Sequence, residues 1–214
     1  MENYIFNDTV QLNIHQVALT GDLIVPDGAT GLVVFSHGSG SSRLSKRNRF
    51  VAEQLQQAGL ATLLFDLLTP EEDQDQAKRF DIPLITQRLV DTGYWIQENL
   101  LINELSVGFF GASTGAASAL RAAAALGPDV VKAVVSRGGR PDLADEILPE
   151  VEAPTLLIVG GDDEPVIGMN QQAYDRLQCE KNLEIVPGAT HLFEEPGTLE
   201  KVAQLATDWF KKYL

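Results

Sequence analysis

Two residues of this 214-residue chain, and a choice among three more, have the types and settings that nucleophilic catalysis needs. The first is Ser113, within Gly111-Ala112-Ser113-Thr114-Gly115. An apolar run, Val107 to Phe110, precedes the pentapeptide, and an alanine-rich stretch, Thr114 to Leu126, follows it. A strand that turns sharply into a helix lifts the residue at the turn out of the sheet. Its neighbours two positions away must then lack side chains. A serine hydroxyl is a weak nucleophile until a base takes its proton. His191, in Gly188-Ala189-Thr190-His191-Leu192-Phe193, stands after the last strand-like run and is the candidate base. A carboxylate would fix the imidazole tautomer and stabilise the imidazolium. Gly160-Gly161-Asp162-Asp163-Glu164-Pro165-Val166 offers Asp162, Asp163 and Glu164, any of which could instead cap the helix that follows. The bland alternatives are a glycine turn that only packs helix on sheet, and a loop histidine beside Phe193.

An ester carbonyl under attack becomes an oxyanion and needs N–H donors. The Thr114 amide, at a helix N-terminus, is one candidate. A second must face it from another element, and the loop His37-Gly38-Ser39-Gly40-Ser41-Ser42-Arg43 follows the strand-like run Leu32 to Phe35. Arg43, Arg47 and Arg49 come next, and Arg137 ends a strand-like run near Ser113. Arg137 and Arg43 are candidates for pairing with a carboxylate on the substrate. The alternative reading makes them ordinary surface arginines. His15 belongs to the N-terminal hairpin, far from these residues.

The elements that must position these groups are legible as apolar runs. Leu32 to Phe35, Ala61 to Phe65, Val107 to Phe110, Val130 to Val135 and Thr155 to Val159 do not alternate with polar residues. That pattern predicts central parallel strands covered on both faces. A weaker strand is predicted at Leu183 to Val186. Gln11 to Val17 and Leu23 to Val25, flanking Thr20-Gly21-Asp22, predict an antiparallel pair at the sheet edge. Helices are predicted over 46–58, 83–101, 114–126, 166–178 and the C-terminal stretch carrying Leu199, Val202, Leu205, Ala206, Trp209 and Phe210. In the second, Ile85, Leu89, Ile96 and Leu100 share a face; Gly127 can cap the third. This alternation predicts an α/β fold with a doubly wound, mostly parallel sheet in a single domain, 1–214. The acidic stretch Pro70 to Asp75 reads as a solvated loop.

Composition narrows the function classes. Hydrophobic residues make up 44% and charged residues 21%, as in globular proteins. A net charge of −14 repels phosphate backbones, so nucleic-acid binding is not expected. One cysteine, Cys179, excludes an intramolecular disulfide. No apolar run approaches the ~20 residues of a membrane span, and the first residues do not read as a secretory signal. The expectation is a cytoplasmic protein, monomer or homodimer, acting on a small molecule without a membrane partner.

Taken together, these motifs resemble the α/β-hydrolase superfamily, and within it the dienelactone hydrolase-like branch. The resemblance covers nearly the whole chain. It rests on G-x-S-x-G after a strand, on the order Ser113, acid, His191, and on the runs Ser136-Arg137-Gly138-Gly139-Arg140-Pro141 and Phe65-Asp66-Leu67-Leu68-Thr69-Pro70. It implies a sheet of about seven to eight strands with helices on both faces. The short span between Arg137 and Thr155 leaves no room for a large cap. It also favours Asp163 over Asp162, because the turn looks like the family's G-x-x-D-x-x-V. The loop after Leu32 to Phe35 looks like its HGxG motif, which draws the second oxyanion donor from Ser39, with Gly40 as the alternative, and leaves His37 a structural role. The implied activity is a Ser-His-Asp serine hydrolase of carboxylic esters (a carboxylesterase-like enzyme) that needs no metal or organic cofactor. Thioesterase, lactonase or acyltransferase chemistry, or slow-turnover ligand binding, are the alternatives. Dienelactone hydrolases carry cysteine as nucleophile, whereas this chain has Ser113. Cys179 is expected to be a packing residue.

Overall fold

The computed structural model describes Asn3 to Leu214. Its strands are β1 (Tyr4–Ile14), β2 (Val17–Pro26), β3 (Gly31–Ser36), β4 (Ala61–Phe65), β5 (Ser106–Ala112), β6 (Val131–Arg137), β7 (Thr155–Gly160) and β8 (Lys181–Val186). They form one eight-stranded sheet in the order β1-β2-β4-β3-β5-β6-β7-β8. β2 runs antiparallel to β1 and β4, and the remaining neighbours are parallel. β3, β4 and β7 are buried along their whole length, which is why their sequences read as unbroken apolar runs.

The helices are α1 (Lys46–Gln57), α2 (Gln76–Arg79), α3 (Ile82–Glu98), α4 (Thr114–Leu126), α5 (Glu164–Arg176) and α6 (Thr198–Tyr213). On one face of the sheet, α1 and α6 bring Val51, Leu55, Val202 and Phe210 against Val33, Phe35, Phe110 and Val135. On the other, α3, α4 and α5 bring Leu89, Leu120 and Ala173 against Val34, Phe109, Val134 and Leu157. Each large side chain buried in these layers contributes about 1.5–3 kcal/mol over its exposed state. Ser45 starts α1 by accepting the Asn48 N–H, and Asp81 starts α3 by accepting the Leu84 N–H. The expected doubly wound, mostly parallel sheet with helices on both faces and without a large cap is the observed one. Only a 3-10 stretch, Pro141–Glu150, stands between β6 and β7.

Four expectations are corrected. The first hairpin turns at His15 and Gln16, not at Thr20-Gly21-Asp22, which lies inside β2. Gly21 pairs with Val10 and Phe65 there. A Cβ on it would come within 2.9 Å of Leu12 Cδ1 and 3.1 Å of Phe65 Cβ, so this glycine serves close packing and not a turn. His15, at φ 47°, takes the left-handed turn position. α3 ends at Glu98 and leaves Leu100 91% exposed, off the buried face that Ile85, Leu89 and Ile96 share. The last strand begins at Lys181, not Leu183, and the acidic stretch Pro70 to Asp75 is not merely solvated. Glu72 accepts from Arg88, and Asp73 is held by Arg79 through two bonds of 3.0 Å. No helix among the described residues is long and apolar enough to cross a membrane.

Candidate active site

The candidate residues stand beyond the C-terminal ends of the parallel strands, where open α/β sheets bind their ligands. β5 ends at Ala112 and α4 begins at Thr114, so Ser113 alone makes the turn, at φ 53° and ψ −121°. A non-glycine residue in this region is strained and persists only when its surroundings over-determine it. Here they do. The Ser113 N–H donates to the Arg137 carbonyl at 3.2 Å, and the Ser113 carbonyl accepts from Ala116 and Arg140 at 3.1 and 3.0 Å. The flanking glycines are steric necessities. A Cβ at Gly111 would lie 2.4 Å from Ala116 Cα, and one at Gly115 would lie 2.1 Å from the Ser36 carbonyl oxygen.

The loop after β8 brings His191 to the same cleft. Gly160 lets the loop after β7 approach it, since a Cβ there would meet the Ala189 carbonyl at 2.3 Å. The Asp162 N–H then donates to the Ala189 carbonyl at 2.9 Å, which leaves the exposed Asp162 side chain pointing elsewhere and turns Asp163 inward. His191 Nδ1 meets Asp163 Oδ2 at 2.7 Å. Asp163 precedes α5 but makes no cap bond with its side chain. Glu195 braces the histidine loop by accepting from the Thr190 hydroxyl and amide, contacts that hold its carboxyl below the usual range. Phe193, buried and at φ 54°, anchors the loop from beneath. Ser113, Asp163 and His191 line one cleft of about 600 Å³. Nε2 of His191 has no hydrogen-bond partner among the described residues, and no hydrogen bond joins it to Ser113. Such contacts often tighten only when substrate binds.

His37 has a different task. Its Nε2 accepts the Leu67 N–H at 3.1 Å and its Nδ1 donates to the Gly38 carbonyl at 3.0 Å. Burial pushes its pKa down, against the Gly38 contact and the charges of Asp66 and Asp73. It is a neutral pin between the loop after β3 and the end of β4. Gly38 packs on Ser113 with room for little more than its hydrogens, 3.2 Å from Cβ to Cβ were it alanine. The Ser39 N–H donates to Thr114 Oγ1 at 2.8 Å, and Gly40, at φ 72°, is exposed.

The arginines part company. Arg43 lies outside this cleft, tied to Asp66 by its amide at 2.8 Å and its guanidinium at 2.7 Å. Arg137 lines the cleft floor, 5% exposed. It donates to Asn48 Oδ1 at 3.2 Å and stacks 5.9 Å from the Phe193 ring centre; its Nε has no partner, and no carboxylate pairs with it among the described residues. Burial, with the nearby charge of Arg47, pushes its pKa down to about 10. Arg47 shares the cleft, bonded to Glu194 at 3.2 Å, and its Nε is also buried without a partner. Sequence reasoning missed Asn48 and Phe80, which also line the cleft. Phe80 is 57% exposed at the rim, and no local signal marked either residue. Cys179 is half-buried 3.8 Å from Thr155 Oγ1, away from the cleft, and burial pushes its thiol pKa up.

The model of the dienelactone hydrolase family matches residues 19–214. A solved dienelactone hydrolase from Anabaena variabilis is 58% identical, superposes with a TM-score of 0.95 and is matched over 98% of each chain. Two curated proteins, from two strains of Mycobacterium tuberculosis, are 57% identical over 209 residues, and both are named provisionally as phosphoribosyl transferases. The match covers 97% of this chain but 47% of theirs, so this chain spans about half the length of those relatives. An esterase from Pyrococcus furiosus shares the fold at a TM-score of 0.75 and 19% identity, over 99% of this chain and 93% of its own.

Proposed function

Because the chain belongs to the dienelactone hydrolase family, we propose that it is a serine hydrolase cleaving carboxylic esters of small molecules through an acyl-enzyme. The observation that carries this reading is the 2.7 Å bond from His191 Nδ1 to Asp163, which leaves Nε2 as the basic nitrogen in a cleft shared with Ser113. Ser113 Oγ attacks the ester carbonyl while Nε2 takes its proton, and Asp163 stabilises the imidazolium. The Thr114 amide holds the oxyanion, with Ser39, or Gly40, as second donor. The tetrahedral adduct collapses when His191 returns the proton to the departing alkoxide. Water, deprotonated by His191, then releases the carboxylic acid and restores Ser113. The phosphoribosyl transferase name of the curated relatives describes proteins of which more than half lies outside the match. The lone thiol of Cys179 fits a cytoplasmic setting. A fluorophosphonate is expected to label wild-type protein at one serine and to leave Ser113→Ala unlabelled; equal labelling of the variant would end the assignment.

Arg137 points to the substrate. A guanidinium buried without a carboxylate is costly, and an anionic group on the ester would offset that cost. We read the preferred ester as carrying such a group, a carboxylate or a phosphate, against Arg137, with Arg43 excluded by its bonds to Asp66. Matched neutral, carboxylate-bearing and phosphate-bearing esters separate the cases. Arg137→Met is expected to lower the preference for the charged ester by roughly 10- to 100-fold, the worth of a charge-assisted hydrogen bond, with a smaller change for the neutral one. No preference in wild-type enzyme, or an equal loss on both, rejects the reading.

A further inference from the structure

The donor that the proposed mechanism takes from the loop after β3 is already engaged. The single N–H of Ser39 donates to Thr114 Oγ1 at 2.8 Å. The two hydroxyls, Ser39 Oγ and Thr114 Oγ1, lie 2.9 Å apart, and Ser39 Oγ donates to the Arg79 carbonyl at 2.6 Å. The carbonyl has no proton to give, so the Ser39 hydroxyl proton is directed at the Arg79 carbonyl oxygen. The proton between the two hydroxyls is therefore that of Thr114. The three bonds have one consistent order: Ser39 N–H to Thr114, Thr114 O–H to Ser39, Ser39 O–H to Arg79. Thr114 is buried at the first position of α4, directly after Ser113. Its hydroxyl oxygen thus accepts the same amide proton that the proposed mechanism gives to the oxyanion.

We propose that the Thr114 hydroxyl caps the second oxyanion donor in the resting enzyme. It is a positioning residue that withholds the Ser39 amide until a charged oxygen displaces it. This rests on the ester-hydrolase reading above and extends it to a residue whose side chain had no part in it. The physical logic is an exchange of acceptors. A neutral hydroxyl and a neutral ester carbonyl accept an amide about equally well, so the ground-state carbonyl gains nothing by displacing the cap. An oxyanion accepts roughly twice as strongly and gains on exchange. Opening needs only a turn of the Thr114 side chain about χ1, and threonine in a helix populates two such rotamers. The far end of the chain of bonds reaches the cleft rim. Arg79 closes α2, is held by Asp73, and is followed by the exposed Phe80 that lines the cleft. The Ser39 hydroxyl, which accepts the Thr114 proton, therefore fastens the oxyanion loop to the segment that borders the entrance.

Two measurements on the full-length protein test this. The first is hydrogen exchange of the Ser39 amide by NMR, which needs no chemistry at Ser113. Exchange is expected to be slow in wild-type protein and at least tenfold faster in Thr114→Val, which keeps the branched shape and removes the acceptor. Fast exchange in wild type, or no change in the variant, overturns the cap. The second is inhibition by phenylboronic acid, whose tetrahedral anionic adduct on Ser113 places an oxygen between the two amides. With no neutral bond left to break, Thr114→Val is expected to bind it roughly two- to tenfold more tightly. Thr114→Ser, which restores the hydroxyl, is expected to return both readouts toward wild type. Weaker boronate binding by Thr114→Val would make the hydroxyl a helper and overturn the proposal. Should that variant fail to fold, Ser39→Ala removes the acceptor that fixes the Thr114 hydroxyl, and is expected to move both readouts the same way by less; the opposite movement overturns the cap. Failure of the boronate to engage wild-type protein at all sinks the ester-hydrolase reading instead, while Ser39 exchange still reports on the cap.

Discussion

Two histidines stand beyond the C-terminal ends of parallel strands of this sheet and are held in opposite ways. His37, after β3, spends both ring nitrogens on the main chain, accepting from Leu67 and donating to Gly38, and is 9% exposed. His191, after β8, spends one nitrogen on Asp163 and keeps the other free, with 37% of its side chain exposed. The residue type is the same, but the partners differ. Backbone partners on both sides remove a histidine from acid–base chemistry and make it a structural pin. A carboxylate on one side orients the ring and leaves Nε2 able to take a proton. A histidine's role is thus read from what saturates it.

The largest test of that contrast is His191→Ala. It is expected to lower kcat on an ester by roughly 10⁴-fold with little change in thermal stability, measured by steady-state kinetics beside a melting curve. A loss of stability comparable to the loss of activity would make His191 a pin as well. Gly115→Ala attacks the other histidine's loop. The new methyl would lie 2.1 Å from the Ser36 carbonyl and 2.7 Å from that of His37. Overpacking of this kind is expected to cost about 1–3 kcal/mol in denaturant unfolding and to slow fluorophosphonate labelling of Ser113. Unchanged stability would mean that the turn tolerates a side chain and that the glycine spacing says nothing about it.

The smallest expected effect concerns pH. Burial depresses the folded-state pKa of His37, so below the ordinary histidine value of about 6.5 the unfolded chain binds the extra proton and the folded chain resists it. Stability tied to His37 is therefore complete above about pH 6.5 and declines as the pH falls toward its folded pKa. His37→Gln, which cannot take that proton, is expected to flatten this decline in urea unfolding between pH 7 and 5. An equally steep decline in the variant would assign the titration elsewhere.

Much of the molecule was legible because its signals are local. β3, β4 and β7 are covered on both faces, so their sequences carry no polar alternation, and their positions could be read to within a residue or two. The limits of α4 could be read to the residue, because a turn and a glycine bracket an alanine-rich run. The hairpin turn was misplaced because Gly21 signals a turn by type, while its real reason is the approach of Leu12, Leu63 and Phe65 from neighbouring strands. Leu100 kept the helical spacing of its predecessors after the helix had stopped, since periodicity alone does not say where a chain leaves the core. Arg43 and Arg137 looked alike in the sequence. Asp66 and Asp22, far away in the chain, neutralise the first, and no carboxylate among the described residues reaches the second.

The sequence by itself determined the sheet, the strained serine between two obligatory glycines, and the order Ser113, acid, His191. Each of these follows from neighbouring residues and the period of their side chains. Only the tertiary structure decided that Asp163 and not Asp162 meets His191, that His37 is saturated, that Arg137 is buried without a carboxylate among the described residues, and that the Thr114 hydroxyl sits on the Ser39 amide. These are contacts between loops from different strands. Their hydrogen bonds depend on how closely the backbones approach, as at Gly160 against Ala189, and local sequence carries no record of that distance.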